Sequence, residues 1–209
     1  CVSGKEAHSA LTPQGVNAIE YAARLIVYIR HMADRMRDCE SRDALFDVPF
    51  TTLQTGTIEG GTAVNIVPRE CNFNFEFRYL PGANLDHIEA EIKRYATETL
   101  VPEMRVVDAN SSIAFDTISE IPGLNMREDD RLTYLAHALA RGKSDVRGEP
   151  IAKVAYATEA GLFQRAGIPS IICGPGSIEQ AHKPDEFITL EQIAMCEAFL
   201  DRTLVELCR

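Results

Sequence analysis

Residues 174–187, GPGSIEQAHKPDEF, hold the densest set of reactive side-chain types in the chain. Gly174 and Gly176 let backbone approach a ligand closely. His182 can ligate a metal or move a proton near neutral pH. Pro184 stiffens the exit, and Asp185 or Glu186 is placed to orient the imidazole from behind. The competing reading is a solvated loop with an incidental histidine, and from the loop alone the two stand level. Ser177 lies in Gly-Pro-Gly-Ser-Ile, not in G-x-S-x-G, so no nucleophile elbow is present.

Four smaller clusters accompany the loop. Gly4-Lys5-Glu6-Ala7-His8-Ser9 offers a second histidine, or simply a helix-entry loop. Residues 60–68 offer Asn65 on a glycine-led bend, or a polar hairpin. Arg78 lies on the polar face of its strand and can fork a carboxylate, or pair across the sheet or stay solvated. Residues 156–161 set Thr158 and Glu159 at a strand-to-helix turn, as a polar wall of a site or as an ordinary cap with an acid in the first turn. His31, His87 and His137 fall on helical patterns with no partner at ligand spacing and read as structural or solvated.

The elements that must carry these residues follow from periodicity. A helix is expected over 12–37, capped by Thr12 with Pro13 at its first position. A strand is expected over 48–58. Residues 71–79 form the clearest strand, with Cys71, Phe73, Phe75, Phe77 and Tyr79 alternating with Asn72, Asn74, Glu76 and Arg78. A helix with Leu85, Ile88, Ile92 and Tyr95 follows, then a strand over 104–115. With a further strand at Cys1 to Ala7, this order predicts an α+β, ferredoxin-like sandwich with helices on one face. After Asp116 come an irregular connection, a helix with Leu132, Leu135 and Leu139, a strand near 151–156, a helix from about Glu159, a strand over 170–173, and a last helix opened by Thr189 and Gln192 in capping-box spacing. That alternation reads as part of an α/β layer. Two short strands make no stable sheet alone, so this half is expected to expose apolar surface.

Composition narrows the classes. The 209 residues carry 21 Lys and Arg against 31 Asp and Glu, a net charge of −10. An acidic chain with no basic run argues against nucleic acid and anionic membranes as partners. No apolar run reaches membrane-span length. Cys1, Cys39, Cys71, Cys173, Cys196 and Cys208 form no C-x-x-C pair, which points to reduced cysteine in the cytoplasm and away from a finger-type zinc site.

Taken in order, "GKEAHSALTPQGVNAIEYAARLI", "GGTAVNIVPRECNFNFEFRYLPG" and "YATEAGLFQRAGIPSIICGPGSIEQAHKPDEF" resemble the di-zinc aminoacylase and carboxypeptidase family, over essentially the whole chain. Within it they look most like the members that deacetylate acetylornithine. The resemblance implies a lid and dimerisation domain at 1–115 and the carboxyl-terminal part of a zinc-peptidase-like catalytic domain at 117–209. It implies a metal-dependent amidohydrolase removing the acetyl group from N2-acetylornithine, in arginine biosynthesis, with two zinc ions (cobalt is possible) and a homodimer formed through the lid. His182 would match a metal ligand, and His8 would reach the partner subunit's site to hold the oxyanion. Asn65 and Arg78 would bind the substrate carboxylate or the oxyanion, with Glu159, Gly174, Gly176 and Ser177 lining the pocket. The family's H-x-D motif and Glu-Glu pair have no counterpart here, and a catalytic zinc wants about three protein ligands. The chain alone is therefore expected to hydrolyse nothing. A related N-acyl-amino-acid hydrolase and a non-catalytic dimerisation module are the alternatives.

Overall fold

A computed structural model gives the fold and describes residues 1–125, 130–143, 145–146, 153 and 158–208. The chain divides into two units, Cys1–Ala44 with Val48–Glu120, and Leu45–Asp47 with Ile121–Arg209.

The first unit is built on the alternation at 70–78. Strand β5 (Glu70–Arg78) turns Cys71, Phe73, Phe75 and Phe77 toward the core and leaves Asn72, Asn74, Glu76 and Arg78 exposed. Strand β3 (Thr52–Gly60) pairs along its whole length, with a bulge between Thr55 and Thr57. Strand β1 (Val2–Ser3) pairs with β5 on one side and with β6 (Ser112–Ile113) on the other. The sheet order is β3-β5-β1-β6, with every pair antiparallel. A second ladder joins β2 (Ala7–His8) to β4 (Ile66–Val67).

Helices α1 (Ala18–Cys39) and α2 (Leu85–Tyr95) pack on this sheet. Leu25, Ile29 and Met32 of α1 meet Leu53, Ile88, Ile92 and Leu100 in one buried cluster. Val2, Val16, Ala22, Cys71 and Met104 form the other.

Three boundaries differ from expectation, each for a tertiary reason. Pro13 sits in a 3-10 turn over Ser9–Gln14, and α1 starts at Ala18. Lys5 and Val16 exchange both backbone hydrogen bonds, at 3.0 and 2.9 Å, and so draw Val16 out of the helix. Asn17 caps in place of Thr12, its Oδ1 accepting from the N–H groups of Ile19 and Glu20. The ladder of β3 begins at Thr52 because Glu40 holds both the N–H and the hydroxyl of Thr51, at 2.5 and 2.7 Å. Residues 104–107 are helical. A π turn (Ala96–Leu100) leads from α2 into α3 (Val101–Val107). That wider turn accommodates Pro102, which has no N–H to donate. The burial of Ala96, Leu100, Val101 and Met104 follows helical spacing.

A polar tie crosses α1 and α2. Glu91 accepts from Tyr28 at 2.7 Å and pairs with Arg35, while the Tyr28 and Tyr95 rings stack with centroids 4.0 Å apart. Burial pushes the Glu91 carboxyl up, but the Arg35 and Tyr28 donors outweigh it and hold the group below the ordinary carboxylate range. A depressed folded pKa stabilises above the unfolded value, about 4.3 for Glu, and that stability is lost as pH falls through the folded value. Glu91→Gln is expected to cost about 1 kcal/mol at pH 7. Urea midpoints should show a smaller acid loss in the variant than in the parent between pH 6 and pH 3. Identical acid losses would remove Glu91 from the stabilising groups.

In the second unit, Asp130 caps α4 (Arg131–Arg141), and Gly142 closes it with φ +63°. Arg202 of α6 (Leu190–Leu207) donates to the carbonyls of Leu139 and Ala140, satisfying the open end of α4. The expected strand at 151–156 lies outside the described residues except Lys153, which forms a parallel bridge with Phe46. Residues 170–173, expected as a strand, pair with no strand among the described residues, in keeping with the limit on two-stranded sheets. No residue of α6 is buried; Leu200, Leu204 and Leu207 are 52, 61 and 71% exposed.

Candidate functional site

The candidate residues fall into a group in each unit. In the first, residues 4–16 close into a small lobe through the Lys5–Val16 bridge. Gly4 is required at its neck, because a Cβ there would lie 2.1 Å from the Val16 carbonyl oxygen. The lobe carries His8 at the end of β2, directly opposite Ile66, and the Ser9 N–H donates to the Asn65 carbonyl at 3.0 Å. One short ladder thus places His8 beside Asn65, both exposed.

The His8 ring also has an orientation. Its Nδ1 accepts from the Ala10 N–H at 3.1 Å, capping the 3-10 turn. A nitrogen that accepts carries no proton, so neutral His8 is protonated on Nε2. The ring therefore presents an N–H donor on an exposed strand end.

Arg78 stands apart from this pair. It lies eight residues along β5 from Glu70, roughly 26 Å at about 3.3 Å per residue. Its guanidinium pairs with Glu76 at 3.0 Å. Gln54 donates to the same carboxylate, and with Arg78 it holds Glu76 below the usual carboxylate range.

In the second unit, Glu159 precedes α5 (Ala160–Arg165) and is exposed, and its carbonyl accepts from Leu162 and Phe163. Thr158 provides the cap, accepting from the Ala160 N–H at 3.2 Å. Gly161 is buried, and a Cβ there would meet the Pro122 carbonyl oxygen at 1.9 Å. Gly161→Ala is accordingly expected to cost about 1–3 kcal/mol and to displace the Thr158–Glu159 turn. An unchanged thermal midpoint would show that α5 shifts freely.

The 174–187 loop is held from both ends. Ser177 caps a 3-10 turn over Ile178–Gln180, and Gly176 adopts φ +107°. His182 and Asp185 also take left-handed backbone, at φ +62° and +58°. Glu186 accepts from the backbone N–H of His182 at 3.1 Å, so this carboxylate shapes the loop around the histidine. That differs from the expected carboxylate bond to the imidazole, because the left-handed turn brings the main-chain donor to Glu186.

Gln192 is a residue that sequence reasoning placed only in a helix cap. Its backbone N–H is capped by Thr189, but its side-chain amide donates to the Gly176 carbonyl at 3.2 Å. Gln192 thus ties α6 to the loop, a role whose only sequence signal was the capping-box spacing. A pocket of about 150 Å³ opens beside Cys173, Gly174 and Gly176, walled by Met195, Cys196 and Phe199. It has room for a small group only.

The donors for a metal are few. Among the described residues, no three His, Cys, Asp or Glu side chains converge on a metal position. His182 is one imidazole, and a zinc site needs about three protein ligands. The described residues do not by themselves fit a zinc centre.

Comparison with known proteins decides the family. Residues 1–104 match the M20 peptidase dimerisation domain. The whole chain is similar to acetylornithine deacetylases: 31% identical to that of Myxococcus xanthus and 30% to that of Pasteurella multocida, each over 99% of this chain. The chain belongs to the M20 peptidase family. It spans about half the length of the curated relatives it matches, 51% and 50% of these two. The fold is shared with aminopeptidase PepT of Bacillus cereus (TM-score 0.70, 23% identity), covering 100% of this chain and 50% of that one. A tripeptidase of Staphylococcus aureus gives a TM-score of 0.67 at 22% identity, covering 96% of this chain and 48% of its own. Among the described residues of this M20 chain, no helix is long and apolar enough to cross a membrane.

Proposed function

We propose that this M20 chain is the lid and terminal portion of a metal-dependent amidohydrolase that removes the acetyl group from N2-acetylornithine in the cytoplasm. The observation that carries the reading is His8, an exposed imidazole whose Nδ1 is spent on a backbone N–H and whose Nε2–H remains a donor. Such a donor suits an amide carbonyl oxygen that gains negative charge on attack. The substrate comes from the names of the relatives, a related N-acyl amino acid being the near alternative.

The division of labour is part of the proposal. Residues 1–115 act as a ferredoxin-like lid and dimerisation domain, supported by the sheet order and the family match. Residues 117–209 act as the end of the catalytic domain. Glu159, Gly174, Gly176 and Ser177 line the substrate pocket, and His182 contributes one ligand to zinc or cobalt, the others coming from outside this chain. One small substrate does not span the length of β5, so His8 with Asn65 and Arg78 serve different places. His8 and Asn65 act on the partner subunit's substrate, and Arg78 grips a substrate carboxylate elsewhere. Arg78→Lys is then expected to raise KM several-fold with little change in kcat, because a point charge replaces a fork. Unchanged kinetics would leave Arg78 as the partner of Glu76 alone.

A second reading, which the dimerisation-domain match over residues 1–104 serves equally well, is a non-catalytic dimerisation module. The coding sequence upstream of Cys1, joined to an assay, separates the two. A frame that continues through an H-x-D motif and a Glu pair, with metal-dependent release of acetate from N2-acetylornithine that His182→Ala abolishes, supports the hydrolase. A start codon directly before Cys1 supports the module. Turnover by the 209-residue chain alone would overturn its proposed inactivity.

A further inference from the structure

The pocket beside Gly174 brings together three sulfur side chains from two segments: Cys173 from the 170–174 segment, and Met195 and Cys196 from α6. All six cysteines of the chain are free. Cys173 is exposed and Cys196 half-buried; partial desolvation still pushes the Cys173 thiol up, and the neighbouring Cys196 adds to the shift. The rest of the wall is mostly apolar, from Ala140, Pro175 and Phe199. The wall carries no His, Asp or Glu, the ligands that zinc or magnesium would use, and its one side-chain amide, Gln192, is spent on the Gly176 carbonyl. Thiolate and thioether donors without harder partners select a soft cation.

We propose that Cys173, Met195 and Cys196 form a binding site for a soft monovalent metal ion of the copper(I) class. The ion enters already reduced, so no electron moves. Two sulfur–metal bonds form at the cysteines, the two S–H bonds break, and both protons leave to solvent. The Met195 thioether adds a neutral third donor. An ion held here sits against Gly174 and Gly176 and fixes the 170–176 segment to α6. The site stands independently of the hydrolase reading, because its readout is metal binding by the 209-residue chain and requires no turnover.

The test is anaerobic titration of the reduced chain with copper(I) buffered by bicinchoninate, followed by the absorbance of the copper–chelator complex. One equivalent of copper is expected to pass to the protein. Cys173→Ser and Cys196→Ser should each weaken binding by at least about 10-fold, and Met195→Leu by less. Cys39→Ser and Cys208→Ser should bind as the parent does. On the unaltered chain, copper(I) should shield Cys173 and Cys196 together from alkylation, read by peptide mass, whereas zinc at the same concentration should not. Equal alkylation of Cys173 and Cys196 with and without copper(I), or equal protection by zinc, overturns the proposal. This second measurement needs no variant to fold.

Discussion

Replacing His8 by alanine lowers kcat of the relative-length enzyme about 10²–10³-fold and leaves KM nearly unchanged, if His8 Nε2–H meets the developing oxyanion. The expectation rests on the ring's fixed tautomer: the Ala10 N–H occupies Nδ1, so the donor is set before substrate arrives. A preorganised donor costs no reorganisation at the moment of reaction, and the loss therefore falls on kcat. Steady-state kinetics on N2-acetylornithine separates the outcomes. A rise in KM alone would place His8 in ground-state binding. An unchanged kcat/KM would return it to a capping role, since the variant also loses the Ala10 hydrogen bond. Urea unfolding of the same variant measures that structural loss independently.

Leu25→Ala is expected to destabilise the first unit by about 3 kcal/mol. Leu25 of α1 is fully buried, in one cluster with Leu53 of β3 and Ile88 and Ile92 of α2. Truncation removes the transfer energy of the side chain and leaves a cavity that close-packed neighbours on the sheet and on α2 fill poorly. Leu25→Met, which conserves volume, should cost less than about 1.5 kcal/mol. Urea unfolding of the 209-residue chain at 25 °C tests both. A loss below 1 kcal/mol for alanine would mean that the core repacks around the gap.

Much of the first unit was legible in the residues. The alternation from Cys71 to Phe77 survives folding intact, because a period of two puts every second side chain on the same face of any strand. The spacing of Leu85, Ile88, Ile92 and Tyr95 likewise settled α2. The segment at 104–107 was not legible. Met104, Val106 and Val107 suit either period, and only the burial of Met104 beside Val101 shows which face the core used. The start of α1 was misread for another reason. Thr12-Pro13 is a sound local start signal, but the pairing of Val16 with Lys5 overrides it.

The candidate site divides along the same line. Residue types alone drew attention to the His182 loop; His8 and Asn65, read by themselves, suit a helix-entry loop and a polar hairpin, and only the family resemblance gave them and Arg78 roles. Their neighbours depended on the fold. The β2–β4 ladder sets Asn65 next to His8 across more than fifty residues of chain, and the straight run of β5 carries Arg78 away from both. Gln192 reaches Gly176, and Cys173 shares a pocket with Cys196, through contacts between segments that no local pattern encodes. Sequence by itself determined which side chains have reactive groups and which faces are apolar, since those are properties of single residues and their spacing. The tertiary structure decided which of those groups meet, because distance in a folded chain is set by strand pairing and helix packing rather than by separation along the backbone.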